Sequence, residues 1–321
     1  MECNVAIIGA GNMAREHIRA FRDIPGVNMV GIHSRTRANA KALADEFQIA
    51  TVYDSIQELY EKTHADLVVI TVFELAMNPV SKICFKYPWT ALLEKPAGYT
   101  IKDAEEILSA AKKNKRNAII ALNRRFMSST RTVRENLNKN PCKRFIRVQD
   151  QEDQKQARAA GQPQAVVDNW MYANSIHIID YFRIFGRAKV NVVKPVVPWN
   201  PENPGTVIAH LEYENGDIGL YEGTWDGPSP WSVSVNTPQD RWEVRPLEQA
   251  SIQKRNSRVI DSFPVHPWDT AFKPGFRLQA ENAVLTALGK TSESTTLDDA
   301  MVTMKIIEAI FTSTKKEIYL T

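Results

Sequence analysis

Cysteine is scarce: Cys3, Cys84 and Cys142 are the only three in 321 residues. They are far apart, odd in number and form no C-x-x-C pair. That argues against a disulfide framework or a zinc site, and no metal centre is expected. Buried free thiols in a reducing cytoplasm are the simplest reading. Long apolar runs are missing too; none approaches the roughly 20 residues a membrane span needs. The N-terminus lacks the basic start of a signal peptide, and its apolar run ends at Gly9. Charge of one sign is also missing. A net charge of +3 is too balanced to point to nucleic acid. The densest basic stretch, Lys112-Lys113-Asn114-Lys115-Arg116, reads as a solvated helix end. With no repeat and no low-complexity tract, the expected partner is a small molecule, with neither nucleic acid nor membrane.

What is present is an ordinary globular composition, 43% hydrophobic and 24% charged, in a chain long enough for two domains. Apolar runs at Val5–Ile8, Asn28–Ile32, Asp66–Val72, Thr90–Leu93 and Ala118–Leu122 read as strands. Helical patterns lie between and after them, at Met13–Ile24, Thr36–Phe47, Ser55–Glu61, Asn78–Lys86 and Lys102–Asn114. That alternation predicts βαβ units and a parallel sheet covered on both faces. Asp54 and Thr100 stand where N-caps belong. Beyond Leu122 the pattern changes. Residues 144–150 read as a strand, 151–167 as an exposed polar loop, and Trp170–Phe185 as an apolar helix. Strands follow at Val190–Val197, Val207–Tyr213, Ile218–Trp225, Trp231–Asn236 and Arg241–Arg245, with a hairpin signal at Glu214-Asn215-Gly216-Asp217. Helices at Phe276–Leu288 and Leu297–Ser313 close the chain. The expected fold is α/β: a Rossmann dinucleotide-binding domain over 1–122, then an α+β domain over 123–321 for substrate binding and oligomerisation. The second domain has a large, mostly antiparallel open sheet, and the last helix is free to pack back on the first domain.

The first strand runs into Gly9-Ala10-Gly11-Asn12-Met13-Ala14, a G-x-G-x-x-A turn that opens a helix. Gly9 and Gly11 permit a tight turn and close approach of a pyrophosphate, while Ala14 lets the helix pack on the strand. Gly9, Gly11, Asn12 and Met13 are the phosphate-side candidates. At the end of the second strand, NAD-binding domains place an acid for the ribose 2′-hydroxyl. Here the run is Gly31-Ile32-His33-Ser34-Arg35-Thr36-Arg37, without an acid. Ser34 can hydrogen-bond a 2′-phosphate and Arg35 can pair with it bidentately. NADP(H) is therefore the favoured cofactor, with NAD(H) still open.

At Glu94-Lys95-Pro96-Ala97 the chain resembles the Gfo/Idh/MocA family of oxidoreductases. Further matches are Asn123-Arg124-Arg125-Phe126, Ser175-Ile176-His177-Ile178-Ile179-Asp180, Gln279, and Leu297-Asp298-Asp299-Ala300, so the resemblance covers essentially the whole chain. It implies hydride exchange between a nicotinamide and a hydroxyl carbon of a sugar, cyclitol or related molecule. It places Glu94 and Lys95 beside the nicotinamide, makes Lys95 and His177 the catalytic pair, and makes Pro96 a cis-proline. A histidine with an unperturbed pKa of about 6.5 suits removal of the hydroxyl proton. A lysine ammonium can stabilise the developing alkoxide. Asn123, Arg125, Asn174 and Asp180 are substrate-binding candidates. Arg124 and the 151–169 segment, with Lys155 and Arg158, would shape the pocket; a cationic pocket would suit a nucleotide sugar. The segment's polar content suits a lid. Trp199, Trp225, Trp231, Trp242 and Trp268 suit cores and interfaces more than sugar stacking. The resemblance also implies a homodimer or homotetramer built through the C-terminal sheet.

One position departs from the family. Many of its dehydrogenases carry an aspartate four residues before the histidine; here that residue is Ala173, so either Lys95 and His177 suffice or Tyr172 or Asp168 contributes. The departure keeps a non-catalytic dinucleotide-binding regulator in view. An NAD-dependent glycosidase is a third reading, against which Ser34-Arg35 counts.

Overall fold

The computed structural model describes residues 2–320. The chain forms two compact units: Met1–Phe126 with Pro267–Met301, and Met127–His266 with Val302–Thr321.

In the first unit, strands β1 (Cys3–Ile8), β2 (Val27–His33), β3 (Val52–Tyr53), β4 (Leu67–Ile70), β5 (Thr90–Leu93) and β6 (Ala118–Ile120) form a sheet in the order 3-2-1-4-5-6. All five pairings are parallel. Parallel neighbours need a long crossover, and helices α1 (Asn12–Arg22), α2 (Arg37–Phe47), α3 (Ile56–Thr63), α4 (Glu74–Cys84) and α5 (Ile101–Lys113) supply it. Strands β4 and β5 are buried throughout, as helices on both faces require. Helix α1 turns Ala14, His17, Ile18 and Phe21 inward, the spacing of one helical face. Phe21 and Ile18 are fully buried, which stabilises the unit by about 1.5–3 kcal/mol each. The helix Phe276–Ala287 shares that core through Phe276, Ala280, Ala283 and Val284, and Arg277 pairs with Asp23 at 2.6 Å.

Two boundaries differ from the sequence reading. Helix α4 starts at Glu74 rather than Asn78 and runs through Pro79. Pro79 gives up one backbone bond, but Met77, Ser81 and Cys84 are buried, and Asn78 Nδ2 reaches Asp103 Oδ1 on α5 at 2.6 Å. The cap of α3 is Ser55 rather than Asp54: its hydroxyl accepts from Glu58 N, and the Glu58 carboxylate accepts from Asp54 N. Thr100 caps α5 as expected.

The second unit has a nine-stranded sheet. Its strands are β7 (Phe145–Gln151), β8 (Val190–Val197), β9 (Thr206–Tyr213), β10 (Ile218–Thr224), β11 (Ser232–Asn236), β12 (Asp240–Val244), β13 (Ala250–Lys254), β14 (Ile260–Ser262) and β15 (Ile318–Tyr319), in the order 14-13-12-11-7-10-9-8-15. Seven of the eight pairings are antiparallel; β7 with β10 is parallel. Gly216, at φ +80°, closes the β9–β10 hairpin. Helix α6 (Ser128–Lys139) and the helical run 171–185 bury their apolar residues. Buried Arg144 donates to the carbonyls of Leu137 and Phe185 at 2.7 Å each. It thereby satisfies two helix ends. The other sheet face is the more polar one, with Arg147 paired to Glu222 at 2.7 Å beside Phe145, Ile218 and Leu220.

The polar loop expected over 151–167 is instead two short helices, Gln154–Ala159 and Gln164–Val167. Asp153 caps the first through its side chain, and Ala157, Val166 and Val167 are buried. Among the described residues no helix is long and apolar enough to cross a membrane.

Candidate functional site

In the first unit, Gly9, Gly11, Ser34 and Arg35 line one cavity of about 380 Å³, together with His33, Thr36, Asn39, Thr71 and Phe73. Gly9 has φ +104°, and a Cβ there would lie 2.5 Å from the Thr71 carbonyl oxygen. Gly11 differs: a Cβ on it would meet no atom within 4 Å. Gly11 is also the N-cap of α1, with no side-chain cap and no acid in the first turn. The helix therefore opens on uncapped N–H groups beside empty space, which suits a pyrophosphate. Asn12 is exposed at this helix start; Met13 accepts a contact from Lys273 Nζ at 3.3 Å through its sulfur.

No carboxylate lines the cavity. Arg35 is exposed and lies over the Phe73 ring, 5.6 Å from its centroid. Arg37 pairs with Asp54. Helix α2 starts at Thr36 without a side-chain cap. Among the lining residues, Phe73, Thr71 and Asn39 carry no sequence signature of their own; only the fold assembles them.

Glu94 and Lys95 directly follow β5, and the Lys95–Pro96 bond is cis. Glu94 Oε1 bonds the buried His17 Nε2 at 2.7 Å, and its Oε2 accepts from Lys95 N at 3.2 Å. Burial alone would raise the Glu94 carboxyl; the His17 hydrogen bond and charge, with Lys95 and Lys273, outweigh it and hold the group below its ordinary value. Burial pushes the half-buried Lys95 ammonium down, aided by Arg124 and Lys273 against Glu94 and Glu74. Lys273 is lowered for the same leading reason. A lysine lowered in this way exchanges a proton more readily. His17 was not singled out in the sequence; its position one turn beyond the glycine turn, on the buried face of α1, is the signal that could have found it. Asn123 is buried and donates to the Pro274 carbonyl at 2.8 Å. Arg125 lies in the same single 3₁₀ turn, Asn123–Phe126.

In the second unit, Asn174, His177 and Asp180 share one helical run. Asp180 is buried and accepts from Thr303 Oγ1 at 2.7 Å, so it anchors the helix. The ring of His177 stands edge-on to Trp231, with centroids 6.5 Å apart. Asn174 Nδ2 reaches both Glu152 carboxylate oxygens at 2.9 and 3.0 Å. Asp168 is exposed and held by Gln164 at 2.6 Å. Burial pushes the Tyr172 hydroxyl up, with Glu308 adding to it. Trp199, Trp225 and Trp242 are buried.

Residues 3–122 match the family model described as the oxidoreductase family with an NAD-binding Rossmann fold, Gfo/Idh/MocA. The match lies in the first unit and stops at residue 122. Curated relatives include inositol 2-dehydrogenase of Salmonella typhimurium, 26% identical over 129 residues that cover 39% of this chain and 38% of the relative. Another is a scyllo-inositol 2-dehydrogenase (NADP(+)) of Bacillus subtilis, 24% identical over 134 residues, 42% of this chain and 41% of the relative. The chain thus spans about two fifths of the length of these relatives. Among solved structures, an aldose-aldose oxidoreductase of Caulobacter crescentus complexed with glycerol superposes over 100% of both chains with TM-score 0.83 at 17% identity. An Agrobacterium radiobacter oxidoreductase in complex with NAD+, L-tartaric acid and magnesium covers 99% of this chain and 98% of its own, with TM-score 0.79 at 16% identity. At such identities the likeness shows the fold: a Rossmann sheet followed by a large mixed sheet.

Proposed function

We propose that the chain is an NADP(H)-preferring oxidoreductase that moves a hydride between nicotinamide and a hydroxyl or keto carbon of a sugar or cyclitol. The observation that carries this reading is the half-buried Lys95, its ammonium lowered by burial, at the end of β5 in a Rossmann domain whose glycine turn opens on empty space. Lys95 would steady the substrate oxygen as its charge develops, and His177 would take or return the hydroxyl proton. A bound nicotinamide supplies the hydride chemistry. Gly9, Gly11, Asn12 and Met13 would hold the pyrophosphate end. The lack of a carboxylate in the cavity, with Ser34 and exposed Arg35 on its wall, supports a 2′-phosphate. The inositol-type names of the relatives support a polyol; a nucleotide sugar is the charged variant that Arg124 and Arg125 would suit.

Titration with NADPH and NADH, followed by turnover of a polyol and keto-inositol panel, tests the reading. Tight NADPH binding with turnover is expected; equal affinity for the two cofactors refutes the preference. Buried Ala173, where an acid is usual in the family, favours one rival: a dinucleotide-binding regulator that binds NADPH and turns nothing over. The polar face of the nine-stranded sheet is our candidate for a homodimer or homotetramer contact, and light scattering of a monomer would rule that out. The free thiols of Cys3, Cys84 and Cys142 suit a cytoplasmic setting.

A further inference from the structure

Strand β7 alternates sides, and its core face reads Ile146, Val148, Asp150, continuing to Glu152 just past its end. Two carboxyls thus follow two aliphatic residues into the interior. Asp150 is fully buried and Glu152 is 4% exposed. Each is surrounded by donors. Asp150 accepts from Tyr221 Oη at 2.8 Å and from Trp231 Nε1. Glu152 accepts from Trp170 Nε1 at 2.7 Å, from Asn174 Nδ2, and from Ser175 Oγ at 3.3 Å. Its backbone N–H is fixed to the Thr224 carbonyl at 2.9 Å. Asn174 and Ser175 lie in a π-type turn, Met171–Ser175, that Trp170 precedes; this widened form costs helix regularity and recurs at functional sites.

We propose that Asp150 and Glu152 form a buried positioning dyad. In it Glu152 turns the Asn174 side chain so that its carbonyl oxygen faces a ligand, and Asp150 holds Trp231 against His177. The ligand in question, a hydroxyl-bearing substrate, rests on the reading given under Proposed function. Because both Glu152 oxygens lie at hydrogen-bond distance from Asn174 Nδ2, the amide nitrogen points at the carboxylate. The Asn174 oxygen accepts no hydrogen bond among the described residues. A carboxylate at 174 would face Glu152 and be repelled; an amide there leaves its oxygen as an acceptor for a substrate O–H. The dyad holds the turn that carries Ala173 through Asn174 and Ser175.

Burial, then the neighbouring Asp150, raises the Glu152 carboxyl well above its ordinary range despite Asn174 and Trp170. The other titratable groups around them are Tyr221 on β10 and His177 on the helix. Burial, then Asp150 and Glu152, pushes the Tyr221 hydroxyl up, so it stays a donor. Glu152 thus gives up its proton above the ordinary carboxylate range.

The test is nuclear magnetic resonance on the full chain labelled with ¹⁵N asparagine and tryptophan, titrated from acid to alkaline pH. Asn174→Ala and Trp231→Phe assign the two signals. The Asn174 amide and Trp231 indole signals are expected to move together in one step above the ordinary carboxylate range. In Glu152→Gln or Asp150→Asn that step is expected to vanish. Signals that stay still, move separately, or move only at the pH of an ordinary carboxylate overturn the dyad. The wild-type titration decides the matter even if both variants fail to fold. No turnover is needed, so a chain that binds NADPH and rejects every polyol refutes the oxidoreductase reading without touching this result.

Discussion

Replacing Gly9 and Gly11 separately by alanine should separate folding from binding. At Gly9 the backbone stands at φ +104° and the new Cβ would sit 2.5 Å from the Thr71 carbonyl oxygen. The backbone strain alone costs about 1–3 kcal/mol, and crowding a packed site adds about as much again. With roughly 2–4 °C lost per kcal/mol in a unit of this size, Gly9→Ala should lower the first unit's melting temperature by roughly 4–24 °C. At Gly11 the Cβ meets nothing within 4 Å, and φ is −96°. Alanine gains about 0.4–1 kcal/mol through the unfolded chain and loses a similar amount as a poor N-cap. The ligand-free melting temperature should therefore hardly move. Binding should move: the methyl group occupies the space left for the pyrophosphate. NADPH at a hundred times its dissociation constant stabilises by about 2.7 kcal/mol, and a tenfold weaker complex loses about 1.4 kcal/mol of that. Thermal melts with and without NADPH read both effects. A Gly11→Ala chain that keeps the full NADPH-induced shift would show that the dinucleotide does not lie on this turn.

Three further outcomes follow from the same geometry. Arg35→Asp should weaken NADPH at least about tenfold, through loss of a charge-assisted pair, while leaving NADH unchanged or tighter; paired cofactor titrations read this. Lys95→Ala should lower kcat on a polyol about 10²–10³-fold with little change in NADPH affinity, as removal of one transition-state donor does; an unchanged kcat removes Lys95 from the chemistry. His17→Ala leaves Glu94 buried without its partner and should cost about 3–5 kcal/mol in urea unfolding. The Glu94 carboxyl is held below its unfolded value, so its contribution is present above about pH 4–5 and is lost as acid titrates it. Glu94→Gln should flatten that acid limb, and a limb of unchanged slope would refute the pairing.

The first unit was legible because its strands are continuous apolar runs and its turns carry glycine. Gly9 stands at φ +104° in the turn, and the space beside Gly11 is open. The two-residue strand β3 was missed because Val52–Tyr53 is too short to show a period, and β14 because it is exposed throughout. Composition misled over 151–167, where short helices are polar outside and bury only Ala157, Val166 and Val167. Asp150 and Glu152 were passed over for the same reason. The alternation Ile146-x-Val148-x-Asp150-x-Glu152 was visible, but a period-2 reading does not expect the core face to end in acids. His17 shows the same limit, since a histidine on an apolar face gains meaning only from the carboxylate that folding brings to it.

The parallel pairing of β7 with β10 bears on how the chain is made. Strand β7 is the first of its sheet to be synthesised, yet both neighbours, β10 and β11, come after residue 217. For that interval on the ribosome β7 has two open edges, the situation that invites pairing with other chains. Its interior face then carries Asp150 and Glu152 in water, where both are charged. The same two side chains that end up buried in the core would first act as gatekeepers, keeping the strand soluble until its neighbours arrive.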